Sequence, residues 1–322
     1  MNVLVTGSSG TVGTALCLAL QKKNVRVIPL DIRENLWSKE LDRRTVRLDL
    51  RRAVNQAKLP SRIDMIIHLA ANARVHELVM KPQLALDNYL MVQNMLELAR
   101  IQRIPRLVFS SSREIYGESP RSTPRKERDT AVANTKSPYT ASKFGAEALI
   151  HAYHNCYDVL PVIVRLSNVY GRYDVSERVI PLFFYYAMRD RDLTVFGKDK
   201  RLDFTFIDDC VDGLCRVVSR FDRVGGETFN LSTGRGERLW DLAGGIIQAT
   251  GASSRVTQGK KRTGEISSFV GDISLARRKL GYKPSVRFSD GLMKSWEWYR
   301  EAIENPKIAA EQRRSLRRWG WA

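Results

Sequence analysis

Tyr139 and Lys143 stand four residues apart in Ser137-Pro138-Tyr139-Thr140-Ala141-Ser142-Lys143. On a helix that spacing places both side chains on one face, about a turn apart. A free phenol has a pKa of roughly 10 and is a poor base at neutral pH. A nearby ammonium favours the phenolate and brings general-base chemistry within reach. An isolated Tyr-x-x-x-Lys is more often a half-buried tyrosine beside a solvated lysine, so the pair signifies chemistry only if the chain supplies a partner and a cofactor. Ser110-Ser111-Ser112 end an apolar run beginning at Arg106. If that run is a strand, the serines lie at the carboxyl edge of a sheet, where open α/β folds bind ligands. A hydroxyl there can meet a substrate oxygen opposite Tyr139.

The elements that would position these groups begin at the first residues. Val3-Leu4-Val5 is a short β-branched run that leads into Thr6-Gly7-Ser8-Ser9-Gly10-Thr11-Val12-Gly13, and an apolar-periodic helix, Ala15 to Leu20, follows. Strand, glycine turn and helix form the context in which this glycine spacing binds a dinucleotide. Gly7 permits the tight turn, Gly10 the approach of a pyrophosphate and Gly13 close packing of helix on strand. The helix N-terminus offers free N–H groups to the phosphates. Val25 to Asp31 reads as the second strand, and Asp31 at its end would bond ribose hydroxyls and repel a 2′-phosphate, which favours NAD over NADP. Arg33 lies close enough to weaken that preference. Strands at Asp64 to Ala71, Arg106 to Ser110 and Pro161 to Arg165 alternate with helices from about Leu84 to Gln102 and Tyr139 to Asn155, as in a parallel α/β sheet. Residues 1–170 are read as the cofactor domain, interleaved with later strands; 171–305 mainly as a smaller substrate lobe; and 306–322 as a basic surface tail. The polar, basic loop from Glu118 to Lys136 is a candidate cover.

Composition narrows the classes. Among 322 residues, 43% are hydrophobic, ordinary for a globular protein. No run is long enough to span a bilayer and no charged region precedes the first apolar stretch, so neither a membrane span nor a signal peptide is expected, and the cytoplasm is the expected location. Cys17, Cys156, Cys210 and Cys215 lack metal-ligand or disulfide spacing, and His68, His76, His151 and His154 lack accompanying ligands. No metal is expected. The formal net charge of +18 raises polyanions as partners, yet the charge is spread widely without an aromatic reading surface. Solvated basic faces are the expectation, and nucleic acid is not an expected partner.

Taken together, the chain resembles the extended short-chain dehydrogenase/reductase family, specifically its nucleotide-sugar epimerases and dehydratases. The likeness runs from Val3 to about Tyr299 through Thr6 to Gly13, Asp31, Leu69-Ala70-Ala71, Asn88, Ser110 to Ser112 with Ile115-Tyr116-Gly117, and Ser137 to Lys143. It continues through Arg165 with Asn168 to Gly171, Asp203-Phe204 with Ile207-Asp208-Asp209, Phe229 to Gly234, Arg262 to Glu265, and Leu280 to Pro284. The resemblance implies a Rossmann-type doubly wound parallel sheet with a smaller C-terminal α/β substrate lobe. It implies NAD held by Gly7, Ser9, Gly10, Thr11, Val12, Gly13, Asp31, Asp49, Leu50, Leu69, Ala70, Ala71, Asn88, Tyr139 and Lys143. Tyr139 would be the base, Lys143 would lower its pKa and hold the nicotinamide ribose, and Ser112 would bond the reacting hydroxyl. Asn168, Arg201, Arg262 and Glu265, with Ser112 and Tyr139, would bind a nucleotide sugar, expected to be UDP-linked. A homodimer pairing the helices near Leu84 to Gln102 and Tyr139 to Asn155 is implied as well.

Three features depart from the family pattern. Leu202 stands where an arginine often precedes the Asp-Phe pair, leaving Arg201 or Lys200 to substitute. Arg172 replaces a usual proline. Arg113-Glu114 follow the site serine, where 4-epimerases carry small or neutral residues and 4,6-dehydratases an Asp-Glu pair. Arginine has no proton to give at ordinary pH, so that dehydration would lack its acid. Arg113 either points inward, where it could engage a hexuronate carboxylate, or lies on the surface with Glu114 paired to it or to a neighbour. The surface arrangement leaves C4 epimerisation, of a UDP-hexose or UDP-hexuronate, as the simplest complete reaction. A dehydratase or decarboxylase using Glu114 is the alternative, and a non-catalytic polyanion-binding scaffold a more remote one.

Overall fold

The computed structural model describes residues 1–54, 56–118, 123–197, 199–260 and 263–317. Six strands of the first half, β1 (Asn2–Thr6), β2 (Arg26–Asp31), β3 (Val46–Arg47), β4 (Met65–His68), β5 (Arg106–Ser112) and β6 (Leu160–Leu166), are each short and rich in branched apolar residues. Successive side chains of a strand point to opposite faces, and here both faces are covered. Val3, Val5, Met65 and Ile67 enter one core, whereas Leu4, Ile28, Ile66 and Leu107 enter another. That is why these strands are continuous apolar runs and not alternating ones. The helices that cover them are α1 (Thr11–Lys22), α2 (Lys39–Arg44), α3 (Val75–Met80), α4 (Gln83–Ile101) and α5 (Pro138–Tyr157).

The second half adds β7 (Asn168–Tyr170), β8 (Leu193–Phe196), β9 (Arg201–Leu202), β10 (Phe204–Phe206), β11 (Thr228–Leu231), β12 (Glu237–Arg238), β13 (Val256–Gly259) and β14 (Ser268–Phe269). Its helices are α6 (Val179–Ala187), α7 (Ile207–Ser219), α8 (Phe221–Val224), α9 (Leu239–Thr250), α10 (Ser274–Leu280), α11 (Phe288–Ala302) and α12 (Pro306–Arg317). β11 returns to the main sheet beside β6, completing the seven-stranded order β11-β6-β5-β4-β1-β2-β3. Every pairing in it is parallel. The order reverses at β1, and the carboxyl ends of β1 and β4 open the crevice where such sheets bind ligands. The other strands form small two- and three-stranded sheets over that edge.

As far as Arg317 the tail is a surface helix docked by one stripe: Ile308, Gln312 and Leu316 are spaced four apart on α12 and buried, and Leu316 packs on Leu182 and Tyr185 of α6. Burying one stripe of an amphipathic helix is what holds it there. Trp319 and Trp321 lie outside the described residues. The loop expected as a cover is stitched to the substrate lobe, because Arg125 donates its N–H to Val270 and accepts from Asp272, both at 2.8 Å. The Glu118 carboxylate, too, accepts the N–H groups of Ser267 and Ser268. Among the described residues no helix is long and apolar enough to cross a membrane.

Candidate active site

The glycine turn is built to bring backbone against backbone. A Cβ on Gly13 would lie 2.0 Å from the Gly7 carbonyl oxygen, far inside contact distance, so α1 can start this close to β1 only with glycine there. Gly7 has a φ of +68° and would press a side chain on Ala70. Gly10 precedes α1 without a side-chain cap, leaving the helix N-terminus available to an anion. Asp31 ends β2 beside the turn, its carboxylate accepting the Ser9 N–H at 2.9 Å and the Arg33 N–H at 2.8 Å. Thr6 fixes the neighbouring strand: its hydroxyl oxygen accepts from Leu69 and Ala70 N–H, both at 3.2 Å, and lies 2.8 Å from His68 Nδ1. With those acceptor positions filled, the hydroxyl proton goes to His68. Burial pushes the His68 pKa down to about 3, so the ring is neutral.

Not every expected cofactor contact is free to make one. Asn88 gives its amide to Asn72 and Ser142 and accepts from Asn72 N–H, which locks the loop after β4 onto α5. Asp49 is committed to Arg51, and Leu50 is buried in the core. Ser9 and Thr11 direct their hydroxyls to the carbonyls of Arg33 and Tyr173. Val12, Leu69 and Ala71 line the cleft itself.

Ser137 caps α5 by accepting the Thr140 N–H, and Pro138 occupies its first turn, a favoured pairing of cap and rigid φ. Tyr139 therefore lies in the first turn, facing the end of β5. Ser112, Tyr139 and Lys143 are all buried and line one cleft of about 380 Å³. The Ser112 oxygen accepts from Glu114 N–H at 3.2 Å. Burial raises the Tyr139 pKa, and the nearby Ser112 hydroxyl opposes the rise. This corrects the simple expectation for Lys143. Its ammonium donates to the Ser110 carbonyl at 2.7 Å, lies 4.7 Å from the Phe109 ring centre and only 5.9 Å from that of Tyr139. Burial lowers its own pKa to about 8. Lys143 stands beside the tyrosine ring, and burial sets the direction of the phenol's shift in this state.

Arg113 points inward, which overturns the surface placement. Its Nη2 pairs with Glu114 at 2.7 Å, its Nε donates to Asn168 at 3.2 Å, and its guanidinium lies 5.8 Å from the Phe269 ring centre. Glu114 is paired as expected; burial pushes its pKa up, against the pull of Arg113. Asn168 is held on both sides, since its Nδ2 donates to the Asp203 carbonyl at 2.8 Å. The cation that reaches the cleft just before β9 is Lys200, buried and paired with Glu265. Arg201 turns outward to the Gly236 carbonyl, and Arg262 lies outside the described residues. Sequence reasoning missed Arg74, Asp174, Glu177 and Arg178, which line the cleft as the pairs Arg74–Glu177 and Arg178–Asp174. No local signal marks them.

Behind the cleft, Arg165 of β6 donates to both carboxylate oxygens of Glu147, at 3.1 and 2.7 Å, and to Tyr116 Oη at 3.0 Å. Tyr116 in turn donates to Asn230 at 2.7 Å. This buried network ties α5, the turn after Ser112 and β11 together.

The NAD dependent epimerase/dehydratase family model matches residues 3–232. A UDP-glucose 4-epimerase of Mycolicibacterium smegmatis is 31% identical over 93% of this chain and 99% of its own. A dTDP-glucose 4,6-dehydratase of Salmonella typhimurium is 28% identical over 97% of both chains. Among solved structures, UDP-glucuronic acid 4-epimerase from Bacillus cereus, in complex with UDP-glucuronic acid and NAD, superposes with a TM-score of 0.86 at 28% identity, covering 94% of this chain and 99% of that one.

Proposed function

Because the chain belongs to the NAD dependent epimerase/dehydratase family, we propose that it is a nucleotide-sugar 4-epimerase, acting on a UDP-hexose or UDP-hexuronate through a 4-keto intermediate. The observation that carries this reading is the meeting of Ser112, Tyr139 and Lys143, all buried, on the wall of one cleft of about 380 Å³. The close-packed glycine turn, the uncapped start of α1 and the carboxylate of Asp31 suit NAD, and Lys143 has ammonium protons left to bond a ribose hydroxyl. When bound, NAD supplies the acceptor and later the donor of a hydride.

The chain's own residues handle the proton. Ser112 orients the sugar C4 hydroxyl, and Tyr139, which must first give up its own proton against the cost of its burial, accepts the hydroxyl proton as the phenolate while the C4 hydride leaves with the bonding electrons. The resulting ketone turns in the cleft. Tyr139 returns the proton to oxygen when hydride adds to the other face, so nothing is consumed overall. Arg113, at the residue after Ser112, offers no acid for expelling a hydroxyl. A second reading, a dehydratase or decarboxylase, is favoured by one feature: Glu114 Oε2 is buried without a hydrogen-bond partner. Incubation with UDP-hexoses and UDP-hexuronates separates the two. Products of unchanged mass with inverted C4 protons by NMR support epimerisation, and loss of water or carbon dioxide overturns it. Exposed Leu86 and Ile101 on α4 and Tyr157 on α5 suit the homodimer, which light scattering tests.

A further inference from the structure

The last helix of the described chain reaches the wall of the cleft. α12 buries Ile308 in the main core and packs Leu316 on Leu182 and Tyr185 of α6. One residue before Leu316, Ser315 donates its hydroxyl to Glu177 Oε2. Glu177 lies two residues ahead of α6 and gives its other oxygen, Oε1, to Arg74 Nε at 3.2 Å. Arg74 and Glu177 line the cleft, and Ser315 is outside its lining. Three segments far apart in sequence, the loop after β4, the approach to α6 and the C-terminal helix, are thus joined by one run of polar contacts. Ile308 and Leu316 already dock α12. The serine does something more local: it fixes a carboxylate, and the carboxylate fixes a guanidinium.

The far end of that run is unanswered. Arg74 Nη1 is buried and, among the described residues, has no hydrogen-bond partner, although the side chain as a whole is 27% exposed. Burial lowers the Arg74 pKa; Arg178 and Arg33 lower it further, and Glu177 and Asp174 oppose them. Its neighbours therefore do not fully compensate its charge, and a donor of this kind calls for an anionic acceptor. Thr11, at the start of α1, donates its hydroxyl to the Tyr173 carbonyl at 2.9 Å. The segment leading to Glu177 accordingly crosses the helix N-terminus, where phosphates bind.

We propose that Ser315 is a positioning residue: through Glu177 it aims Arg74 at a phosphate oxygen of a bound diphosphate, which makes the C-terminal helix part of the binding machinery. The inference deepens the 4-epimerase reading, whose cofactor and substrate are both diphosphates. A guanidinium suits such an oxygen because its planar fork donates along fixed directions. With both carboxylate oxygens of Glu177 engaged, the rotamer freedom that binding would otherwise remove from Arg74 is already gone. Without the Ser315 hydroxyl, Glu177 turns about its broad last torsion and Arg74 loses its aim.

The test is a double-mutant cycle with two readings: the rate at which NAD leaves the loaded protein on dilution, and equilibrium binding of UDP in excess NAD. Arg74→Gln is expected to worsen one of them about tenfold and Ser315→Ala the same one about threefold, while Ser315→Thr, which keeps the hydroxyl, restores it. Adding Ser315→Ala to Arg74→Gln is expected to cost nothing further, since the serine acts only through the arginine. If Arg74→Gln does not fold, Arg74→Lys, which keeps the ion pair and loses the fork, takes its place in the cycle. Faster loss of NAD with UDP unchanged assigns the contact to the cofactor's diphosphate, and weaker UDP with NAD unchanged assigns it to the substrate's. Effects that add mark a merely structural serine and overturn the proposal. So do a Ser315→Ala or Arg74→Gln protein indistinguishable from the parent, and a loss of both ligands together, which marks general loosening. Failure of the epimerase reading shows separately, as the absence of C4-inverted products from the parent protein.

Discussion

Removing Glu147 tests the claim that the site is held from behind by a buried ion pair. Arg165 and Glu147 have side chains 6% and 8% exposed and share two hydrogen bonds of 3.1 and 2.7 Å. Glu147→Leu leaves the guanidinium with Tyr116 and the Glu127 carbonyl but without its hydrogen-bonded carboxylate, and the Glu127 carboxylate then acts on it only through space. An uncompensated buried charge costs about 3–5 kcal/mol. Arg165→Met strands the carboxylate, which escapes part of its penalty by taking up a proton. The double variant strands nothing, because two apolar side chains of similar bulk replace the pair, and it should lie within about 2 kcal/mol of the parent. Urea unfolding of all four proteins, followed by circular dichroism, gives the coupling free energy. We expect at least about 2 kcal/mol, well beyond the roughly 0.5 kcal/mol scatter of independent sites. A double variant as unstable as the sum of the singles would refute the reasoning. Glu147 lies one turn beyond Lys143, and Tyr116 lies in the turn after Ser112, so both single variants should also lose turnover.

Gly13→Ala sets a Cβ 2.0 Å from the Gly7 carbonyl oxygen; α1 must retreat from the turn, and we expect at least a tenfold loss of NAD, read by chromatography of cofactor released on denaturation. Stoichiometric NAD in that variant would contradict the close-packing argument. Lys143 carries a pKa lowered to about 8 by burial against roughly 10.4 unfolded, a desolvation cost of up to about 3 kcal/mol. Lys143→Met should therefore unfold at higher urea than the parent when both lack NAD, while losing turnover; a lower midpoint would sink the idea. For His68 the folded pKa of about 3 lies below the unfolded value of roughly 6.5, so the unfolded chain binds more protons between them. This residue thus costs stability as pH falls through that window, by up to about 1.4 kcal/mol per pH unit. His68→Gln should flatten the decline of the unfolding midpoint between pH 6.5 and 4, and identical slopes would show that the ring is not the responsible group.

What the sequence determined by itself is local. Gly7, Gly10 and Gly13 after a strand, Asp31 at the end of the next, Ser112 at a strand end, and Ser137 through Lys143 opening a helix are each legible because spacing within one turn or one strand dictates which groups can meet. The continuous apolar strands likewise announced a sheet covered on both faces. What only the tertiary structure decided depends on contacts between distant segments and on strand parity. A shift of one residue turns a strand's side chains over, and the pairing of β9 with β12 and β14 puts Arg201 outside and Lys200 in the cleft. Arg165 meets residues 18 and 49 positions away, and Tyr116 meets Asn230 across 114. No periodicity encodes such meetings. The same holds for the Tyr139 phenol, whose pKa the Tyr-x-x-x-Lys spacing would lower and whose burial raises it. Spacing states which charges can approach a group. Only the packed fold states how much water is left around it, and desolvation is the larger effect here.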